Sequence, residues 1–166
     1  MKIWHTILSV VFLLTVSIIS IGCNKNELYP ASDVQITKVN PFSILPTSND
    51  FDSIEDGVVT MKLINSIPCE LVSYDLTYRT VLNDPIESLS ISEIKTNLPL
   101  AEKDTEVELT IKPYTQQLLN LLKSTTSEIS PVRATVLLHF RDVNKNDIHR
   151  EASFLLYKYE DTSTSE

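Results

Sequence analysis

Between Val132 and Phe140 every second residue is apolar (Val132, Ala134, Val136, Leu138, Phe140), and the residues between them are mostly polar. A period of two marks a strand with one face buried, because successive side chains point to opposite faces of a sheet. The same alternation recurs along the chain. Val34 to Val39 makes a first run, stopped by Asn40-Pro41, and Val59, Met61 and Leu63 alternate with Thr60, Lys62 and Ile64 in a second. Val72, Tyr74, Leu76 and Tyr78 are expected to face one way and Ser73, Asp75, Thr77 and Arg79 the other; a one-residue slip would expose four large apolar groups. Val107, Leu109 and Ile111 alternate with Glu106, Glu108, Thr110 and Lys112. A shorter, weaker strand is placed near Leu89–Ile91, and the run from Ala152 to Tyr159, apolar on both faces, reads as a more covered strand.

The polar turn Asp142-Val-Asn-Lys-Asn-Asp147 has hairpin length, so the last two strands are expected to pair across it and to set His139 almost opposite His149. One helix is expected at about 113–123, opened by Pro113, with Tyr114, Leu118, Leu121 and Leu122 on one stripe. About seven strands joined by connections too short for parallel crossovers predict an all-β fold: an antiparallel two-sheet immunoglobulin-like sandwich with that short helix capping one end. Ile64-Asn65-Ser66-Ile67-Pro68, the alternation from Tyr74 to Tyr78 and the leucines from Leu118 to Leu122 also resemble, over roughly 57–157, the late-embryogenesis-abundant type 2 sandwich domains. That resemblance implies a fold and no function.

Glycine is nearly absent. Gly22 and Gly57 are the only two, which rules out glycine-rich phosphate loops, dinucleotide fingerprints and nucleophile elbows, each of which needs several positions without a Cβ. The candidates for chemistry are therefore few. His139 and His149 could form a zinc pair, but zinc sites generally need three or four ligands and no further His or Cys lies close in sequence, so an exposed cross-strand pair is the expectation. Asp142-x-Asn144-x-Asn146-Asp147 echoes the start of a calcium loop, yet Asp147 stands where the sharp turn needs glycine and Ser153 where the bidentate glutamate belongs. Asp50, Asp52, Glu55 and Asp56 make a second acidic loop, which an immunoglobulin-like strand order puts at the opposite end from the hairpin turn. Glu106 and Glu108 share a strand face like a carboxylate pair, but that face looks toward solvent. No metal and no catalytic residue is expected.

The first residues are an export signal. Lys2 supplies a positive charge, and an apolar run follows from Ile7 to Ile21, broken only by Ser9, Thr15, Ser17 and Ser20. The run ends in Ser20-Ile21-Gly22-Cys23, which resembles the lipobox of bacterial lipoproteins. That resemblance implies a cysteine, Cys23, that carries a diacylglycerol and an N-acyl chain as the only covalent group, with a signal peptide at 1–22 removed. Gly22 and Cys23 match the pattern, whereas Ser20 and Ile21 hold the aliphatic and small positions in swapped order. An ordinary secretory peptide and an uncleaved anchor helix stay open as other readings of the same stretch. Asn24 after the cysteine implies, by the enterobacterial sorting rule, passage to an outer membrane where the host has one.

Downstream, 23–32 reads as the lipidated cysteine and its tether, 33–159 as the sandwich and 160–166 as a polar tail. About 143 residues after the signal suit one domain with a real core. Since Lys2 lies in the signal, the remainder carries 13 basic against 22 acidic side chains, a net charge of −9. Nucleic acid needs a basic patch and is excluded as a partner; the same charge repels an anionic membrane, so the lipid must do the holding. With lipid on Cys23, Cys69 is left unpaired and is expected to be a buried thiol. The expected function is a non-enzymatic, membrane-anchored envelope lipoprotein whose sandwich binds another envelope protein through a sheet edge or end loop, β-augmentation being a natural mode. A metal-dependent ligand binder or enzyme built on the 139–149 hairpin and a structural spacer are the alternatives.

Overall fold

The structure is a computed structural model that describes residues 30–48, 50–124 and 130–159. Cys23, the stretch at 1–22 expected to be a signal peptide and the expected polar tail at 160–166 lie outside the described residues. The chain divides after Pro30, and every element below belongs to the unit that begins at Ala31.

Among the described residues, eight strands form two sheets. Sheet one contains β1 (Val34–Asn40), β3 (Gly57–Leu63) and β6 (Glu106–Ile111), in the order β1-β3-β6. Sheet two contains β2 (Ser43–Ile44), β8 (Asp147–Leu156), β7 (Val132–Asp142), β4 (Cys69–Arg79) and β5 (Ile91–Leu100), in that order. All pairs are antiparallel except the two-residue β2, which runs parallel to the end of β8. The first sheet takes strands A, B and E of an immunoglobulin-like sandwich and the second takes G, F and C with one more strand outside C, so the all-β immunoglobulin-like architecture stands. Among the described residues one α-helix, α1 (Gln116–Ser124), follows β6.

The alternation places the core. Val59, Met61 and Leu63 from sheet one meet Val132, Ala134, Val136, Leu138, Phe140 and Phe154 from sheet two in a single buried cluster. Arg150 ties β8 to β1 beyond the edge of the cluster: its Nε donates to the Val34 carbonyl and its Nη2 to Asp33 Oδ1 at 3.2 Å.

Four details depart from the alternation as read. In β4, Leu71 pairs with Phe140 and Ser73 with His139, so Val72 is the extra residue of a β-bulge. The bulge changes the phase of the strand, and Cys69 and Leu71 before it face the core together with Leu76 and Tyr78 after it. The strand near Leu89–Ile91 is in fact the ten-residue β5, while Leu89 sits buried in a 3₁₀ turn, Glu87–Leu89. Pro99 marks β5 as an edge strand, where a missing N–H costs nothing. β8 begins at Asp147, five residues before Ala152, because polar His149, Arg150 and Glu151 break its apolar pattern. The helix begins at Gln116, where Thr115 Oγ1 accepts the Leu118 N–H at 3.1 Å, and not at Pro113.

Pro113 has another job. Its carbonyl accepts a 2.9 Å hydrogen bond from the buried Tyr78 hydroxyl, and Tyr114 donates to the Tyr157 carbonyl at 2.8 Å, which pins the approach to α1 from both sides. Burial pushes both phenols up, Tyr114 to about 12, so both stay neutral donors at ordinary pH. Tyr78→Phe should cost about 1 kcal/mol in urea unfolding, the net worth of one buried hydrogen bond. An unchanged midpoint would show that the Pro113 contact does not anchor the helix.

The strand directions define two ends. The near end holds Ser32, the β3–β4 connection, the β5–β6 connection and the β7–β8 turn. The far end holds β2, the 50–56 loop, the β4–β5 connection and α1.

Candidate functional site

At the near end, Ser32 is buried and belongs to the folded body, not to the tether. Its N–H donates to Asp142 Oδ2 at 3.1 Å and its hydroxyl to the Ile67 carbonyl at 2.6 Å. Asn65 holds the flanking residues, donating to the Ala31 carbonyl at 2.9 Å and accepting the Asp33 N–H at 3.1 Å. The incoming chain is thereby stitched to the β3–β4 connection and to the last residue of β7.

Asp142 is the centre of this clasp. Its Oδ1 accepts the N–H groups of Asn144 and Asn146, both at 2.8 Å, and its Oδ2 accepts the Asn146 side-chain amide at 2.9 Å besides Ser32. Burial pushes its carboxyl up, but the hydrogen bonds from Asn146, Ser32 and Asn144 outweigh this and hold it below the usual carboxylate range. The calcium-like spacing of Asp142, Asn144 and Asn146 is explained by the turn: the carboxylate faces N–H donors, and Asn146 turns its amide toward it. Asp50 likewise caps a turn at the far end, accepting the Asp52 N–H at 3.2 Å.

The two histidines lie elsewhere, on the outer face of sheet two. The β7–β8 register sets His139 opposite His149, and their Nδ1 atoms approach to 2.9 Å with the rings edge to face, 5.0 Å between centroids. The third member is Asp75 of β4, whose Oδ2 lies 2.9 Å from His139 Nε2. Asp75 Oδ1 in turn accepts the Glu93 N–H at 2.8 Å. Glu93 reaches it from a left-handed backbone conformation, φ 56°, where the β4–β5 register shifts between Tyr74 and Leu76. The Glu93 N–H lowers the Asp75 carboxyl most; partial burial opposes it, and His139 adds to the lowering.

Asp75 escaped the sequence reading because it sits 64 residues from His139. The signal was present in the fold type, since strands C and F are neighbours and Asp75 is on the outward parity of C.

Cys69 is buried beside the clasp. Burial pushes its thiol up, Ser32 opposes this and the Asp142 carboxylate adds to it, so little nucleophilic thiolate forms. Glu106 and Glu108 are exposed on sheet one, Glu106 accepting from the Thr37 hydroxyl at 3.2 Å. Among the described residues no helix is long and apolar enough to cross a membrane, and no group of three or more His, Cys, Asp or Glu side chains is arranged to hold a metal ion.

No family model and no curated protein matches the chain. Among solved structures, a crystal structure of a Bordetella pertussis protein described as ApaA superposes with a TM-score of 0.43 at 14% identity, over 76% of this chain and 94% of that one.

Proposed function

We propose that the chain is a lipoprotein of the bacterial cell envelope, held through acyl chains on Cys23, whose non-catalytic sandwich binds another envelope protein at its far end. The observation that carries this reading is the division of labour between the two ends. The near end clasps the chain as it comes in, through Ser32, Asn65 and Asp142. The far end bears Phe42, Leu45, Val81, Leu82 and Ile91, five large apolar side chains left exposed, with Leu82 at 80%. At the near end Val143 is the one such residue among those described.

Eight residues lie between Cys23 and Ser32, and the nine steps along the chain span at most about 30 Å when extended. An 11-residue strand such as β7 sets the far end roughly 35 Å beyond the clasp. Strong acidity disfavours contact of the domain with an anionic bilayer, so exposed apolar loops suit a protein partner better than the membrane surface. The end loops are favoured over the edges at β6 and β5, which are guarded by Glu106 and Glu108 and by Lys95 and Pro99.

Photocrosslinking residues placed at Phe42 and Leu82 in cells should capture the same envelope protein, and one placed at Lys145 in the near-end turn should not. Capture from Lys145 alone, or from no position, would contradict the reading. Leu82→Glu should reduce capture through Phe42 at least several-fold.

A further inference from the structure

The geometry points to a surface site for a divalent transition-metal ion, Cu2+ before the others, formed by His139 Nδ1 and His149 Nδ1 with Asp75 as a positioning residue. This goes beyond the proposed function and does not depend on it. The two Nδ1 atoms are 2.9 Å apart. At metal–nitrogen bonds of about 2.0–2.1 Å, that separation subtends roughly 90° at an ion. A right angle is the cis arrangement of a square-planar or tetragonal centre, the geometry of Cu2+ and Ni2+ with imidazole ligands, and is too narrow for tetrahedral Zn2+.

The ring of His139 is oriented for this. Asp75 Oδ2 accepts a hydrogen bond from the His139 Nε2–H, the tautomer that leaves the Nδ1 lone pair directed at His149, and the Glu93 N–H fixes Asp75 from behind. A carboxylate on the distal nitrogen is the usual support of a metal-bound imidazole. The backbone of Glu93 adopts a left-handed conformation to supply that support, φ 56° in a residue with a Cβ. An ion takes the place of the one proton held between the two Nδ1 atoms; that proton is lost to solvent while His149 takes one up at Nε2, so both rings bind as neutral imidazoles, and the His149 ring turns about its Cβ–Cγ bond to aim its Nδ1 at the ion. Both rings lie on an open sheet face, so the remaining positions are filled by water.

Asp75 and the exposed Glu151, two residues along β8 from His149, bring negative charge to this face; Arg141 is occupied by Asp147 at 3.0 Å, and the exposed Lys95 stands in the same row two strands away, across Ser73.

The test is titration of the full chain in detergent with Cu2+ alone, followed by electron paramagnetic resonance. The expected result is one bound ion with superhyperfine splitting from two imidazole nitrogens, and binding at least about tenfold weaker for Zn2+ in keeping with the affinity order of the divalent metals. The double variant His139→Asn, His149→Asn removes both histidines that follow Cys23 and should lose the signal. His149→Asn alone serves if the double variant does not fold, since His149 has no tie to Asp75. Asp75→Asn should keep the two-nitrogen signature and bind about 10–100-fold more weakly. Copper binding unchanged by the histidine substitutions, or no nitrogen-coupled signal from the folded wild type, would overturn the site. Unchanged affinity in Asp75→Asn would overturn the positioning role.

Discussion

Asp142→Ala is expected to destabilise the domain by about 2–4 kcal/mol, because it strips the partner from four N–H donors at once and leaves at least the Ser32 N–H buried without one. The loss should also appear in the pH dependence. Hydrogen bonds hold the Asp142 carboxyl below its ordinary value, so its contribution is complete above the unfolded-state pKa of about 3.9 and is lost as pH falls through the lower folded value. Urea unfolding of wild type and variant between neutral and strongly acid pH should therefore show the two curves converging as acid is added. The depressed carboxyl of Asp75 remains in the variant, so its stability should still fall in acid, with a shallower slope. Parallel curves with a constant gap would mean that the carboxylate charge is not what the clasp uses.

Gly57→Ala is expected to cost about 1–3 kcal/mol, for a steric reason and not a conformational one. A Cβ at Gly57 would stand 2.6 Å from Phe154 Cζ and closer still to Cε1, and Phe154 is fully buried. The ring cannot swing aside, since cores pack near crystal density and it is enclosed on every side. Gly57→Val should be worse. Phe154→Leu, which shortens the obstructing group, should recover part of the loss in the Gly57→Ala background while being destabilising alone. Strictly additive effects in that double-mutant cycle would locate the cost somewhere other than the Gly57–Phe154 contact.

These two positions also show how far residue pattern alone carries. Alternation along Val132–Phe140 and Val59–Leu63 was enough for the strands, and strand number with short connections was enough for the sandwich, because a period of two allows one buried face and one register. The glycine count excluded whole classes of site but left the purpose of Gly57 unread, since that depends on a ring 97 positions away. Val72 continues the even-numbered apolar set and so falls on the expected buried face; the bulge shows only when Cys69 and Leu71, apolar on the other parity, are counted with it. The full length of β5 was hidden by Glu93, Lys95 and Pro99, which suit an edge strand and so weaken the pattern there.

The candidate site divides along the same line. The opposition of His139 and His149 follows from a hairpin centred in one turn, a local feature that sequence spacing expresses directly. Asp75 joins them only through the β4–β7 pairing, and Asp142 meets Ser32 only because the chain comes in at that end; neither contact has a local signature. The acidic and amide residues of the β7–β8 turn look alike on paper whether their oxygens face a cation or backbone N–H groups. Asp142 chooses the second, and the choice is made by Ser32, 110 residues earlier.

The proposed anchorage through Cys23 is tested by the intact mass of the protein purified from membranes. The expected species begins at Cys23 and carries a diacylglycerol on sulfur with an acyl chain on its amino group, and Cys23→Ala yields an unprocessed or released protein. A membrane-purified species that begins elsewhere, or that begins at Cys23 without lipid, would contradict it, as would a Cys23→Ala protein processed and retained like the wild type.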